Sequence, residues 1–208
     1  MTQTRPEQPT STGPHELLVD RFAPRSDFTL AHHRLVDADP DTAYRAVREL
    51  DLTEVHGTLV DTSMWLRSIP ERVKYRKRGP VRTPTRLTLD DLAAGSERVV
   101  LGERPGEEIA FGAVGRFWQP VVEWRPVEPR DFVDFSEPGF GKIVCSLSVL
   151  PYGTRRSLVT YDVRTIFDDP PSWVGFRRYW RVVKPFVGVI QRAALRTIAD
   201  TAERGGPR

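Results

Sequence analysis

The sequence predicts an α+β domain in which a curved antiparallel β-sheet packs against one long C-terminal helix. Three observations carry this. Strand-like segments separated by short turn signals recur between Arg98 and Phe167, and connections that short pair strands antiparallel instead of through βαβ crossovers. Residues Ser172 to Glu203 hold the strongest helical pattern, with Phe176, Trp180, Val183, Val187, Ile190, Ala194 and Ile198 advancing by three or four positions along one stripe. A helix of that length with an aromatic stripe needs a broad apolar partner, and the antiparallel sheet is the partner this chain offers.

Taken in order, residues 1 to 14 are rich in Pro, Thr and Ser and nearly free of apolar side chains, which predicts a disordered tail ahead of a single domain over residues 15 to 208. Glu16 to Phe22 fits one or two helical turns stopped by Pro24, and Phe28 to Val36 reads as an edge-like strand. Asp39 is the expected N-cap of the next helix, with Pro40 at its first position, where a missing N–H costs nothing. Ala43, Tyr44, Val47 and Leu50 follow at helical spacing. A weaker helical segment is expected from Leu52 to Ile69, carrying Met64, Trp65 and Leu66, and a helical turn from Leu87 to Ala94. Between them, Arg72 to Arg86 holds seven basic residues in fifteen and no acid, the pattern of a solvated loop.

The expected strands are Arg98 to Leu101, Ile109 to Trp118, Asp131 to Ser136, Lys142 to Leu150 and Leu158 to Phe167. Ile143, Cys145, Leu147 and Val149 alternate with Ser146 and Ser148, which predicts a sheet covered on one side. Ser172 is the expected cap of the last helix, and Pro185 with nearby Gly188 is expected to kink or divide it.

Composition narrows the function. The 208 residues are 39% apolar and 28% charged, with ten Phe, five Trp and five Tyr, and the formal charge is +3; this is globular composition. No apolar run approaches the 18 residues of a membrane span, and the first residues lack a signal peptide's basic and apolar regions, so a cytoplasmic protein is expected. Cys145 stands alone and the four His lack zinc-ligand spacing, so no metal is expected. Without a G-x-S-x-G, a P-loop or a G-x-G-x-x-G, hydrolase and nucleotide-dependent readings lose support, and no cofactor is expected. The basic stretch Arg72 to Arg86 contains one aromatic residue, Tyr75, which argues against nucleic acid and leaves a peripheral membrane contact as the sharper alternative to a solvated loop.

The segments LTLDDLAAG (87–95), VVLGERPGEEIAFGAVGRFWQP (99–120), FSEPGFGKIV (135–144), T-x-D-x-R at Thr160, Asp162 and Arg164, and FRRYWRVVKP (176–185) resemble a bacterial subgroup of the START/Bet v 1 (SRPBCC) superfamily. The resemblance implies a helix-grip fold, a bent sheet of about seven strands wrapped around the last helix. That superfamily includes lipid carriers, hormone receptors and polyketide aromatase/cyclases, so it implies no single substrate. Where such a sheet and helix separate they leave a chamber. Its candidate lining residues are Trp65, Phe111, Phe117, Trp118, Trp124, Phe135, Cys145, Tyr161, Phe176 and Trp180, with a plain core contact the favoured reading at each position taken singly.

The resemblance also aligns His32 with a recurrent His on the first strand, and Asp162 and Arg164 with a recurrent acid and Arg on the last strand. Asp162 and Arg164 share one sheet face at a spacing of about 7 Å. If that face points inward, His32, Asp162, Arg164 and Tyr161 are candidates for holding a ligand oxygen or moving a proton; if outward, the charged pair is an ordinary surface ion pair. The function expected is binding of an apolar or amphipathic small molecule by a carrier or sensor. The alternative is a cyclase or dehydratase acting on a polyketide-type substrate by acid–base catalysis.

Overall fold

The computed structural model describes residues 16–50 and 99–205. In chain order these form α1 (Leu18–Phe22), β1 (Phe28–Val36), α2 (Pro40–Arg48), β2 (Val99–Arg104), β3 (Glu108–Gly115), β4 (Trp124–Arg125), β5 (Gly141–Tyr152), β6 (Arg156–Phe167) and α3 (Pro170–Gly205). The expected tail at 1–14, the helical segments at 52–69 and 87–94, Trp65 and the basic stretch Arg72 to Arg86 lie outside the described residues.

Six strands among the described residues make one curved antiparallel sheet in the order β1-β6-β5-β3-β2, with β4 paired to the far end of β3. Two tight hairpins set this order. Gly106 and Gly153 hold φ of 85° and 72° in the β2–β3 and β5–β6 turns, a conformation that glycine adopts without a Cβ clash. The register of β6 places Tyr161 opposite both His32 on β1 and Leu147 on β5, and Val163 opposite Leu30 and Cys145. Directly opposed residues share a face. One face therefore carries His32, Tyr161, Val163, Thr165, Ile143, Cys145, Leu147, Ile109 and Phe111, and α3 lies on it over β1 and β6.

The opposite face is covered too, contrary to the one-sided sheet expected from the serines of β5. Leu18, Val19 and Phe22 of α1 pack there with Phe132, Phe140, Ala110, Val114 and Val144. The serines mislead because both are buried in this layer, where Ser146 donates to Glu108 at 2.7 Å and Glu108 also accepts the Leu18 N–H at 2.6 Å.

Asp131 to Ser136 is not a strand but part of a run of turns. Lys142, only 6% exposed, donates its ammonium to the carbonyls of Val133 at 3.0 Å and Phe135 at 2.7 Å. Those carbonyls are thus taken from any sheet ladder. Below this segment Phe132 is fully buried, and a Cβ on Gly112 would lie 2.5 Å from its ring. The strand expected to reach Trp118 ends at Gly115, with Phe117 and Trp118 in the following turn.

Helix α3 starts earlier than expected. Its cap is Asp169, not Ser172: the carboxylate accepts the Ser172 N–H at 2.9 Å and the Gly139 N–H at 2.8 Å. Pro185 does not divide the helix, which runs unbroken for 36 residues, about 54 Å at 1.5 Å per residue. The proline sits on the exposed side, where water can serve the Arg181 carbonyl that its missing N–H leaves free. The cap of α2 is as expected, with Asp39 accepting the Thr42 N–H at 3.0 Å and its hydroxyl at 2.8 Å; these bonds hold the Asp39 carboxyl below its ordinary pKa.

Candidate functional site

Helix α3 meets the sheet in two different ways. Toward its C-terminus Ala194, Leu195, Ile198, Ala199 and Ala202 pack closely against α2 and against Ile109, Phe111, Leu147, Val149 and Val159. Small side chains allow that approach. Toward its N-terminus large rings stand between helix and sheet, and the packing is less complete. Phe176, 1% exposed, touches Phe167 at 4.8 Å between centroids, Phe28 at 5.0 Å, Phe117 at 5.4 Å and Trp180 at 5.4 Å.

Beside this aromatic cluster lies a groove of about 100 Å³, lined by Phe117, by Ile143 of β5, Val163 and Thr165 of β6, and by Phe176, Tyr179, Trp180, Val183 and Val187 of α3. Among the described lining residues, those with a polar side-chain atom are Thr165, Tyr179 and Trp180. Thr165 is 3% exposed and its Oγ1 has no hydrogen-bond partner among the described residues.

Of the aromatic and sulfur residues singled out from the sequence, Phe117, Phe176 and Trp180 line this groove. Phe111, Cys145 and Tyr161 share the helix-facing side of the sheet, Phe111 and Tyr161 as part of the closely packed core. Trp124 stacks on Phe117 with centroids 6.4 Å apart. Trp118 lies edge-on to Phe117 and walls an open surface cleft of about 610 Å³ beyond it, together with Arg116, Glu123 and Asp169. Gly175 admits Trp118 to the helix surface, since a Cβ there would meet the indole nitrogen at 2.9 Å. Phe135 is on the other side of the sheet, against Phe140. Sequence reasoning missed Ile143, Val163, Thr165, Tyr179, Val183 and Val187 as lining residues. The alternation along β6 held the signal, because Val163 and Thr165 follow Tyr161 at period two.

The polar residues do not converge. His32 opposes Tyr161, whereas Asp162 opposes Ala31, so the imidazole and the carboxylate stand on opposite faces of the sheet. On the helix side, Gln191 donates its amide to the carbonyls of Leu30 at 2.9 Å and Tyr161 at 3.3 Å, leaving its Oε1 to accept from His32 Nδ1 at 2.9 Å. His32 Nε2 then accepts from Arg192 at 2.8 Å. Both ring nitrogens are engaged. On the far side, Arg164 bonds Asp162 at 3.0 Å, Asp20 at 2.8 Å and the Ala23 carbonyl at 3.1 Å, fastening α1 and the chain after it to the sheet. Burial raises the Asp162 carboxyl above its ordinary pKa while the Arg164 guanidinium opposes the rise. The inward cluster of His32, Asp162 and Arg164, one of the two arrangements left open by the sequence, does not form: the residues belong to two separate networks, because residues on opposite faces of neighbouring strands cannot meet.

Among the described residues no three or more His, Cys, Asp or Glu side chains come together in a metal-binding group, and no helix is long and apolar enough to cross a membrane.

No protein-family model matches the chain, and no curated protein is similar to it. Solved structures to which it is similar include protein MLL2253 from Mesorhizobium loti, at 10% identity, with 86% of this chain and 100% of that one covered and a TM-score of 0.40. Norcoclaurine synthase from Thalictrum flavum matches at 9% identity over 98% of this chain and 97% of that one, with a TM-score of 0.37. The di-domain ARO/CYC BexL from the BE-7585A biosynthetic pathway matches at 16% identity over 81% of this chain and 46% of that one, with a TM-score of 0.33. By its own topology, a bent antiparallel sheet with first and last strands adjacent and a C-terminal helix on one face, the described chain has a helix-grip fold.

Proposed function

We propose that the groove between α3 and the sheet binds an apolar or amphipathic small molecule, as a carrier or sensor working in a reducing cytoplasm would. The observation that carries this reading is a space whose described walls are almost entirely aliphatic and aromatic, formed where the large rings of Phe176, Tyr179 and Trp180 keep the helix from closing fully on β5 and β6. A volume of about 100 Å³ suits one small ring or the end of a chain, below the 300–1,000 Å³ typical of pockets that engulf a whole drug-sized ligand. A larger molecule would leave its remainder outside these walls. Binding is favoured over a cyclase or dehydratase role because none of His32, Asp162 and Arg164 lines the groove, and a general acid or base must reach the reacting atom.

Toluene is a suitable first probe, being apolar and about the size of the space. Titrated into the ¹⁵N-labelled full chain, it is expected to shift the Trp180 indole resonance, identified by its loss in Trp180→Phe. An indole spectrum unchanged up to the solubility limit of toluene would overturn the reading.

A further inference from the structure

We infer that the groove selects a small ring, free or at the end of a larger molecule, that carries one hydroxyl or carbonyl oxygen, and that Thr165 is the residue that reads this oxygen. The inference rests on the proposed binding groove and names the chemical class that fits it. Thr165 is 3% exposed, lines the groove, and has an Oγ1 with no partner among the described residues. Its surroundings explain why. The residues directly opposite on β1 and β5 are Phe28 and Ile143, and its same-face neighbours along β6 are Val163 and Phe167. None offers a side-chain donor or acceptor. Its own carbonyl is already taken by the Asp27 N–H at 2.9 Å.

A buried hydroxyl without a partner is costly, and native interiors seldom leave one. Two buried serine hydroxyls follow that rule, Ser146 donating to Glu108 at 2.7 Å and Ser157 to the Ala38 carbonyl at 2.8 Å, while the other unpartnered buried side-chain atom among the described residues, Asp162 Oδ1, belongs to a carboxylate whose second oxygen is held by Arg164. Valine would fill the same space beside Phe28 and Ile143 with no unmet bond. The hydroxyl at position 165 therefore acquires a purpose if an oxygen of the ligand completes it, either accepting from Oγ1 or donating to it. A ring bearing such an oxygen puts its apolar body against Phe176, Trp180, Val183 and Val187 and its polar edge on Thr165.

Phenol and toluene test this as a pair, since they match in size and differ by hydroxyl against methyl. Their affinities for the full chain are measured by the same NMR titration in the wild type, Thr165→Val and Thr165→Ser. The double comparison cancels their different hydration. Thr165→Val is expected to weaken phenol about five- to tenfold, the range of one ordinary hydrogen bond, while toluene binds as well or better. Thr165→Ser, which keeps the hydroxyl, is expected to retain phenol. Without ligand, Thr165→Val is expected to raise Tm by removing the unmet group. If both variants bind toluene but Thr165→Val changes phenol and toluene by the same factor, the oxygen-reading role is overturned and the groove stands. If toluene fails to bind the wild type as well, the groove reading falls and this inference falls with it.

Discussion

The carboxylate of Glu108 accepts the backbone N–H of Leu18 at 2.6 Å, joining the first helix to the third strand across 90 residues of sequence. The same side chain accepts from Val19 N–H at 3.3 Å and from the Ser146 hydroxyl at 2.7 Å, and is itself 1% exposed. A carboxylate can be held this deep because free N–H groups at a helix start and a strand hydroxyl meet its oxygens together.

Replacing Glu108 by Ala strands those donors in a dry layer. The expected loss is about 2–4 kcal/mol of unfolding free energy, from at least two buried groups left without partners. Urea titration measures it. A loss below about 0.5 kcal/mol would mean that α1 is held to the sheet by its apolar contacts and by the Arg164 bonds to Asp20 and Ala23, with little from Glu108.

Phe176 and Trp180 are one helical turn apart and stack on each other, yet their roles should separate. Phe176 is 1% exposed at the centre of the aromatic cluster, whereas Trp180 is half-buried on the wall of the groove. Phe176→Ala is expected to cost about 3–5 kcal/mol, as large-to-small changes in filled cores do. Trp180→Ala is expected to cost on the order of 1–2 kcal/mol, because much less of its area is withdrawn from water, and to abolish toluene binding. Equal losses of stability in the two variants would contradict this division.

The charge on Asp169 should make the start of α3 sensitive to acid. Burial raises its pKa, but the N–H groups of Gly139 and Ser172 outweigh burial and leave the carboxyl below its ordinary value of 3.8. A carboxyl lowered in the folded state adds stability that is fully present above the unfolded pKa and fades as pH falls through the folded one. Asp169→Asn keeps a capping oxygen and removes the charge. The variant should be less stable than the wild type from pH 5 upward, and the gap should narrow as the pH falls below 3.8. A gap that stays constant down to pH 2 would assign the effect to hydrogen-bond geometry and not to charge.

Much of this architecture is written in local pattern. The stripe from Phe176 to Ile198 announces α3, the Asp39–Pro40 pair announces α2, and turn residues around Gly106 and Gly153 announce the two hairpins, since caps, periods and tight turns depend on residues within a few positions of one another. Errors came where a partner is remote. The segment 131–136 reads as a strand until Lys142 removes its carbonyls, and Ser146 and Ser148 read as solvent-facing until Glu108 and α1 are placed against them.

For the candidate site the division is sharper. Aromatic abundance and the wish of a long apolar stripe for a sheet are properties of the sequence, and they determined that α3 and the sheet would meet and that rings would lie between them. Which rings border a space, that Thr165 lines it and carries an unmet hydroxyl, and that His32 and Asp162 lie back to back depended on strand register. Register joins residues more than a hundred positions apart and reverses every side chain on a one-residue slip, so only the tertiary structure could decide it.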